Sequence, residues 1–139
     1  HDFPEQRTKK IQEMIALVPK DGGSRSQLPA EYILPCHKRN PGGFKDVYGR
    51  MAWDKPSPTI TGGCASPSKG RFLHPDENRC ITLREASLLQ GFPRNYVFPA
   101  GLPKDRLALM VGNALPVPFI YAHAKEIRHQ MTEWKAQNE

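Results

Sequence analysis

The sequence predicts an α+β fold in two parts: a small, twisted, β-rich and irregular domain over residues 1–80, then a helical segment over residues 81–139. Fourteen prolines and eleven glycines in 139 residues demand many turns. Between residues 24 and 79, short extended pieces alternate with turns and show no helical period. After residue 80, apolar residues recur at helical spacing.

The composition is basic and not very apolar. The hydrophobic content is 38% and the mean hydropathy is -0.60, so we expect a chain that is not a self-sufficient globule. A formal net charge of +6 and a pI of about 9.4 favour a polyanionic partner, with nucleic acid as the first candidate. The net charge alone is equally consistent with a basic surface that is only solvated and binds no polyanion.

Membrane and metal chemistry are not indicated by the sequence. No apolar run approaches the ~18 residues that suggest a membrane span, so no membrane partner is expected. Cys36, Cys64 and Cys80 are widely spaced and form no CxxC pair, which indicates neither a disulfide framework nor a zinc site. These features favour a cytoplasmic location.

The elements follow in order. Ile11, Met14, Ile15 and Val18 have the spacing of one helix face, and Pro19 with the turn at residues 21–23 ends that helix. The extended region after it carries more basic than acidic residues, as a phosphate-facing surface would.

Three helices are predicted towards the C-terminus. Thr82 and Glu85 have the spacing of a capping box, which opens a helix closed by Gly91 and Pro93. A short helix is expected near residues 105–110. Pro116 and Pro118 suit the first turn of the last helix. Its apolar stripe, which predicts a buried or interface face, consists of Ile120, Ala124, Ile127, Met131 and Trp134.

Several stretches, taken in order, resemble the C-terminal part of a bacterial DNA (cytosine-5) methyltransferase. The stretches similar to the last two motifs of the family and their surroundings are KPSPTIT (residues 55–61), GRFLHP (70–75), RCITLREASLLQGFP (79–93) and VGNALPVP (111–118). PKDGGSRSQLP (19–29) and DVYGR (46–50) resemble the target-recognition region of many members. The resemblance implies that the helical segment packs on a Rossmann-like α/β catalytic domain that this chain lacks.

The family's reactive motifs are not found in this sequence. It lacks the Gly-rich cofactor loop, the Gly-Pro-Pro-Cys nucleophile loop, the Glu-Asn-Val acid and the Gln-x-Arg-x-Arg strand. Pro35-Cys36 is followed by His37 and has no preceding Gly-Pro, so Cys36 is not expected to be the nucleophile. We therefore expect no catalytic residue in this chain, which alone should be inactive.

The resemblance implies which residues contact DNA. Methylation of a cytosine requires the base to be flipped out of the duplex, at a cost of a few kcal/mol, so the protein must grip the flanking backbone. The implied DNA-binding residues are Arg50, Thr59, Gly62, Gly63, Lys69 and Arg71. A plain strand residue at Thr59 and solvated charges at Arg50 and Lys69 are the structural alternatives.

The resemblance also implies a cofactor, S-adenosylmethionine, beside the turn formed by Gly112, Asn113 and Ala114. The implied partners are double-stranded DNA and a catalytic domain or large subunit, contacted through the helix at residues 116–134. The expected function is DNA recognition within a cytosine-5 methyltransferase of a restriction-modification system. Two alternatives stay open, a stand-alone sequence-specific DNA-binding module and a generic basic scaffold.

Overall fold

The computed structural model describes residues 3, 7–40 and 42–138. Within these ranges the prediction of a twisted β-rich domain is wrong, because the described chain forms no sheet and is 47% helical. Its only strand-like pairings are isolated bridges, parallel between Arg50 and Leu73 and antiparallel between Leu73 and Cys80. Proline cannot donate to a sheet ladder, and the prolines and glycines of this region interrupt its extended pieces.

Five α-helices and three single 3₁₀ turns make up the regular structure of the described residues. The helices are α1 (Lys9–Leu17), α2 (Pro35–Arg39), α3 (Leu83–Leu89), α4 (Lys104–Asn113) and α5 (Val117–Asn138). The 3₁₀ turns are Arg25–Gln27, Ala30–Tyr32 and Pro67–Lys69. Helices α1, α3, α4 and α5 confirm the helices predicted from periodicity and capping, whereas α2 was not predicted.

Two hydrophobic clusters hold these pieces together. In the first, Met14 and Ile15 of α1 and Val18, the residue after it, pack on residues of the loops that follow. The second cluster takes Met51, Ile60, Cys64 and Phe72 from the irregular region and packs them against α3 and α4. Residues from both sides of position 80 therefore share one core. Apolar packing, and not a sheet, holds the loops before residue 80 in place.

The capping box of α3 is confirmed. The Thr82 Oγ1 atom accepts a hydrogen bond from the Glu85 amide at 3.1 Å, and the Thr82 amide donates to Glu85 Oε2 at 2.6 Å. Arg79 adds two further hydrogen bonds to the Glu85 carboxylate, at 2.8 and 2.9 Å. The Arg79 guanidinium, helped by Thr82, lowers the pKa of Glu85 to about 2.

The lowered pKa of Glu85 predicts that the folded protein loses stability in acid. Because the folded pKa of Glu85 lies below its ordinary value of 4.5, its contribution is fully present above about pH 4.5 and is lost as the pH falls towards 2. We expect Glu85→Gln to be less stable than wild type at pH 7 and to show a smaller decrease between pH 4.5 and 2. Thermal unfolding midpoints measured across that range provide the test, and parallel profiles would contradict the assignment.

None of the residues of helix α5 is buried within the described structure. The predicted apolar stripe is solvent-exposed, with Ile127 57%, Met131 59% and Trp134 65% exposed. Lys104–Asn138 contains an 18-residue window of mean hydropathy 1.4, apolar enough by length and composition to cross a membrane. Residues 114–116 separate α4 from α5 within that stretch, so this window is weak evidence for a span.

Candidate functional site

Arg50 lies in the interior of the described structure, and a DNA contact by its side chain stays a prediction. The side chain is 0% exposed. Its Nε donates to the carbonyl of Val18 at 2.9 Å, and one Nη2 hydrogen bond reaches the carbonyl of Ile15 at 2.8 Å. The remaining bonds go to the carbonyls of His74 and Glu77 and to Asn78 Oδ1. The guanidinium thus caps the C-terminus of α1 and ties it to the loop at residues 74–78.

Burial has a further consequence for Arg50. It lowers the pKa of the guanidinium, because the charged form loses solvation. The carbonyl dipoles around it offset that loss, since each donor group has a partner. The sequence signal was ambiguous: Arg50 lies between Tyr48 and Met51, whose side chains favour the interior, but its charge favours the surface.

Arg71 is also committed largely to the protein. Its Nε and Nη2 atoms contact Asp46 Oδ1 at 3.0 and 2.9 Å. Its Nη1 donates to the carbonyls of Gly22, Gly23 and Arg50. A phosphate contact by Arg71 stays a prediction, and it would have to compete with these partners.

Thr59, Gly62, Gly63 and Lys69 form a loop surface next to α4. Thr59 is exposed, whereas the following residue, Ile60, is only 3% exposed and belongs to the core. A Cβ on Gly63 would lie 2.7 Å from Lys69 Cβ, so the stem of Lys69 packs over this glycine. The Lys69 side chain is exposed, and its ammonium has no ion pair with the residues that the structure describes.

The Gly112 backbone packs directly on the backbone of this loop. A Cβ at Gly112 would lie 2.1 Å from the Gly62 nitrogen and 2.1 Å from the Thr61 carbonyl carbon. One turn earlier on α4, Leu109 covers Gly62, where a Cβ would lie 2.9 Å from the Leu109 Cδ1. The structure therefore brings the predicted DNA-contacting loop and the predicted cofactor turn into contact. The signal was a glycine inside a helix, which costs about 1 kcal/mol relative to alanine and points to close packing.

The turn after α4 offers limited polar chemistry. The Ala114 amide donates to the Val111 carbonyl at 3.2 Å, and the Ala114 carbonyl accepts from the Gln90 side chain. Asn113 is exposed, and its side chain makes no hydrogen bond within the described part of the chain. One free carboxamide beside exposed Leu115 and Val117 fits one wall of a pocket for S-adenosylmethionine, but not the whole pocket.

Reactive groups are few in the residues that the structure describes. Cys36 is exposed, Cys64 and Cys80 are buried, and none forms a disulfide. Burial raises the pKa of the Cys64 thiol, so it is a poor nucleophile. The described residues contain no group of three or more metal-ligating side chains. The exposed groups of this arrangement can bind and position a ligand. The described residues show no assembled catalytic centre.

Comparison with known sequences identifies the family. The profile of the C-5 cytosine-specific DNA methylases matches residues 4–129. Type II methylase M.HgiDII of Herpetosiphon aurantiacus is 47% identical over 110 residues, which cover 77% of this chain and 31% of the relative. Type II methyltransferase M1.BsuMI of Bacillus subtilis is 41% identical over 95 residues, 68% of this chain and 22% of the relative.

The similarity extends to eukaryotic enzymes. DNA (cytosine-5)-methyltransferase 1 of Gallus gallus is 37% identical over 99 residues, 70% of this chain and 6% of the relative. The chain thus spans about a third or less of the length of these relatives. Because the family profile covers most of the sequence, this chain belongs to the C-5 cytosine-specific DNA methylases.

Proposed function

We propose that this chain is the DNA-recognition part of a DNA (cytosine-5) methyltransferase of a restriction-modification system, and that it binds a specific duplex site. The observation that carries the proposal is the family match over residues 4–129 in a chain without the family's reactive motifs. Methyl transfer to a cytosine C5 needs a covalent nucleophile, and the residues of this sequence do not include the family's nucleophile loop, so another part of the enzyme would supply it.

Within this proposal the two segments have different roles. Residues 1–80 serve target recognition, and residues 81–139 complete the catalytic and cofactor domain. The division is one of role, because the larger core cluster joins both segments. A location in the reducing cytoplasm, where bacterial DNA is found, accompanies this function.

DNA contact is assigned to the exposed groups of the loop beside α4. Thr59 contacts the backbone next to the flipped nucleotide, and Lys69 binds a phosphate through its unpaired ammonium. Gly62 and Gly63 allow close packing of this loop against Leu109 and Lys69. Arg50 and Arg71 bond to carbonyls outside this loop, Arg50 to that of Ile15 and Arg71 to that of Arg50, so they are not assigned a DNA contact.

The cofactor contact is assigned to the turn after α4. S-adenosylmethionine supplies the methyl group when it is bound. Asn113 offers its side-chain amide to the cofactor, while Ala114, which has no hydroxyl, contributes only wall. Gly112 holds the turn against Thr61 and Gly62, so the position of Asn113 depends on that packing.

Helix α5 is assigned to the contact with the catalytic part. Its apolar stripe is exposed along the whole helix, at Ile120, Ile127, Met131 and Trp134. Burying such side chains against another domain contributes about 1.5–3 kcal/mol each. The stripe gives a large apolar surface to a chain with little core of its own.

Methyl transfer to duplex DNA tests the proposal. We expect this chain together with its catalytic part to transfer labelled methyl groups from S-adenosylmethionine to one short duplex site, and the chain alone to transfer none. Met131→Lys should weaken assembly at least about tenfold, because it places a charge in the apolar contact.

Ala136→Lys is the matched control, since it adds the same charge on the opposite side of α5. It should assemble as wild type does. If Met131→Lys assembles equally well, α5 does not dock as proposed. Site-specific binding by the chain alone, with no methyl transfer from the assembled protein, would instead support a stand-alone DNA-binding module.

A further inference from the structure

Four side chains form an exposed patch that the assignments above do not use. We define the basic-aromatic patch as Lys38, Arg39, Phe44 and Lys45. Phe44 is 66% exposed, and the three cations are all exposed. A hydrogen bond from the Gly43 amide to the Asn40 carbonyl at 3.2 Å turns the chain between Arg39 and Phe44, which makes the two sides of the turn neighbours.

The backbone beneath Phe44 is anchored. Arg25 Nη2 donates to the Phe44 carbonyl at 3.1 Å, and Ser24 Oγ lies 3.5 Å from the Lys45 carbonyl. A few residues on, the Tyr48 amide donates to the Pro67 carbonyl at 2.6 Å. The backbone that carries the ring is therefore held in place, and the ring is exposed. An exposed phenylalanine does not gain the free energy that burial would give it.

The local charge is positive and uncompensated. Residues 35–45 contain no aspartate or glutamate. Among the described residues, the side chains of Lys38, Arg39 and Lys45 make no ion pair or hydrogen bond. The nearest acidic residue in sequence, Asp46, is neutralised by Arg71 at 2.9 Å. An apolar protein face could not cover Phe44 without also burying these unpaired cations.

We propose that the basic-aromatic patch is a sequence-reading contact with duplex DNA, in which Lys38, Arg39 and Lys45 bind phosphates and the Phe44 ring contacts base edges. A duplex presents closely spaced phosphates beside apolar base surfaces such as the thymine methyl group, which matches both halves of the patch. This assignment rests on the proposed function and names the surface that selects the site.

The test uses the assembled methyltransferase, whose site is first found by mapping methylation in a random duplex library. We expect Phe44→Ala to lower the affinity ratio between the recognised duplex and one with a single changed base pair by about tenfold. The dependence of affinity on salt should be unchanged. The double variant Lys38→Ala/Arg39→Ala should bind all duplexes more weakly, and the slope of log affinity against log salt should fall by about 1.8.

Lys9→Ala/Lys10→Ala is the matched control, because it removes two exposed cations from α1. It should keep the wild-type slope. If Phe44→Ala keeps the wild-type affinity ratio, or if Lys38→Ala/Arg39→Ala keeps the wild-type salt slope, the patch assignment is wrong. The proposed function is not affected by either result. If the wild-type assembly binds and methylates no duplex, the proposed function fails and the patch assignment fails with it.

Discussion

Arg50→Met should unfold the region around α1 rather than alter DNA specificity. The buried guanidinium donates to the carbonyls of Ile15, Val18, His74 and Glu77. Methionine fills part of the volume but donates nothing, and each buried carbonyl left without a partner costs about 1–3 kcal/mol. A loss of about 4 kcal/mol or more is a large part of the stability of most domains.

Thermal unfolding and amide hydrogen exchange in α1 measure this effect in the assembled protein. We expect a large decrease in the unfolding temperature and fast exchange at Met14 and Ile15, which are buried in wild type. Arg50→Lys should recover little, because one ammonium cannot span carbonyls that a planar guanidinium reaches together. Arg106→Met, at an exposed position on α4, is the matched control and should change stability by less than about 0.5 kcal/mol.

The result separates two roles for the same residue. If Arg50 reads a base, Arg50→Met should keep its stability and lose discrimination between duplexes. If Arg50 is structural, stability falls first and binding falls with it on every sequence. Normal exchange in α1 together with relaxed specificity would restore the interpretation that the sequence suggested.

The helices were predicted correctly because their signals lie between residues that are close in the sequence. The capping box at Thr82 and Glu85 involves neighbours three residues apart, and the structure forms it as predicted. The stripe of α5 likewise follows from helical spacing. The sheet was wrong for a different reason: strands require pairing between distant segments, and the turn-rich region between residues 24 and 79 collapses on apolar side chains instead.

The candidate site shows the same limit. A sequence gives the charge of an arginine but not the side of the backbone on which it lies. Arg50 and Arg71 were therefore taken as surface cations, although both are bonded to backbone carbonyls. Lys69, at the end of a short 3₁₀ turn, is exposed, and a DNA contact by it stays a prediction. The sequence did not single out Phe44, because an isolated aromatic in a loop has no period to reveal its exposure.

Gly112→Ala should disrupt the loop and the cofactor turn together. The added methyl group would lie 2.1 Å from the backbone of Thr61 and of Gly62, where no side chain can move aside. Helix α4 or the loop must therefore shift, at a cost of about 1–3 kcal/mol. We expect a lower unfolding temperature, weaker duplex binding and weaker S-adenosylmethionine binding, all from a single methyl group.

Gly42→Ala is the control for stability, because a Cβ at that position meets no atom within 4 Å. It should leave the unfolding temperature nearly unchanged. The informative comparison for Gly112→Ala lies between the two ligands. If the contact between Gly112 and Thr61 couples the segments, duplex and cofactor affinities fall together. If only cofactor binding falls and stability is kept, Gly112 contacts the cofactor directly and the two segments act independently.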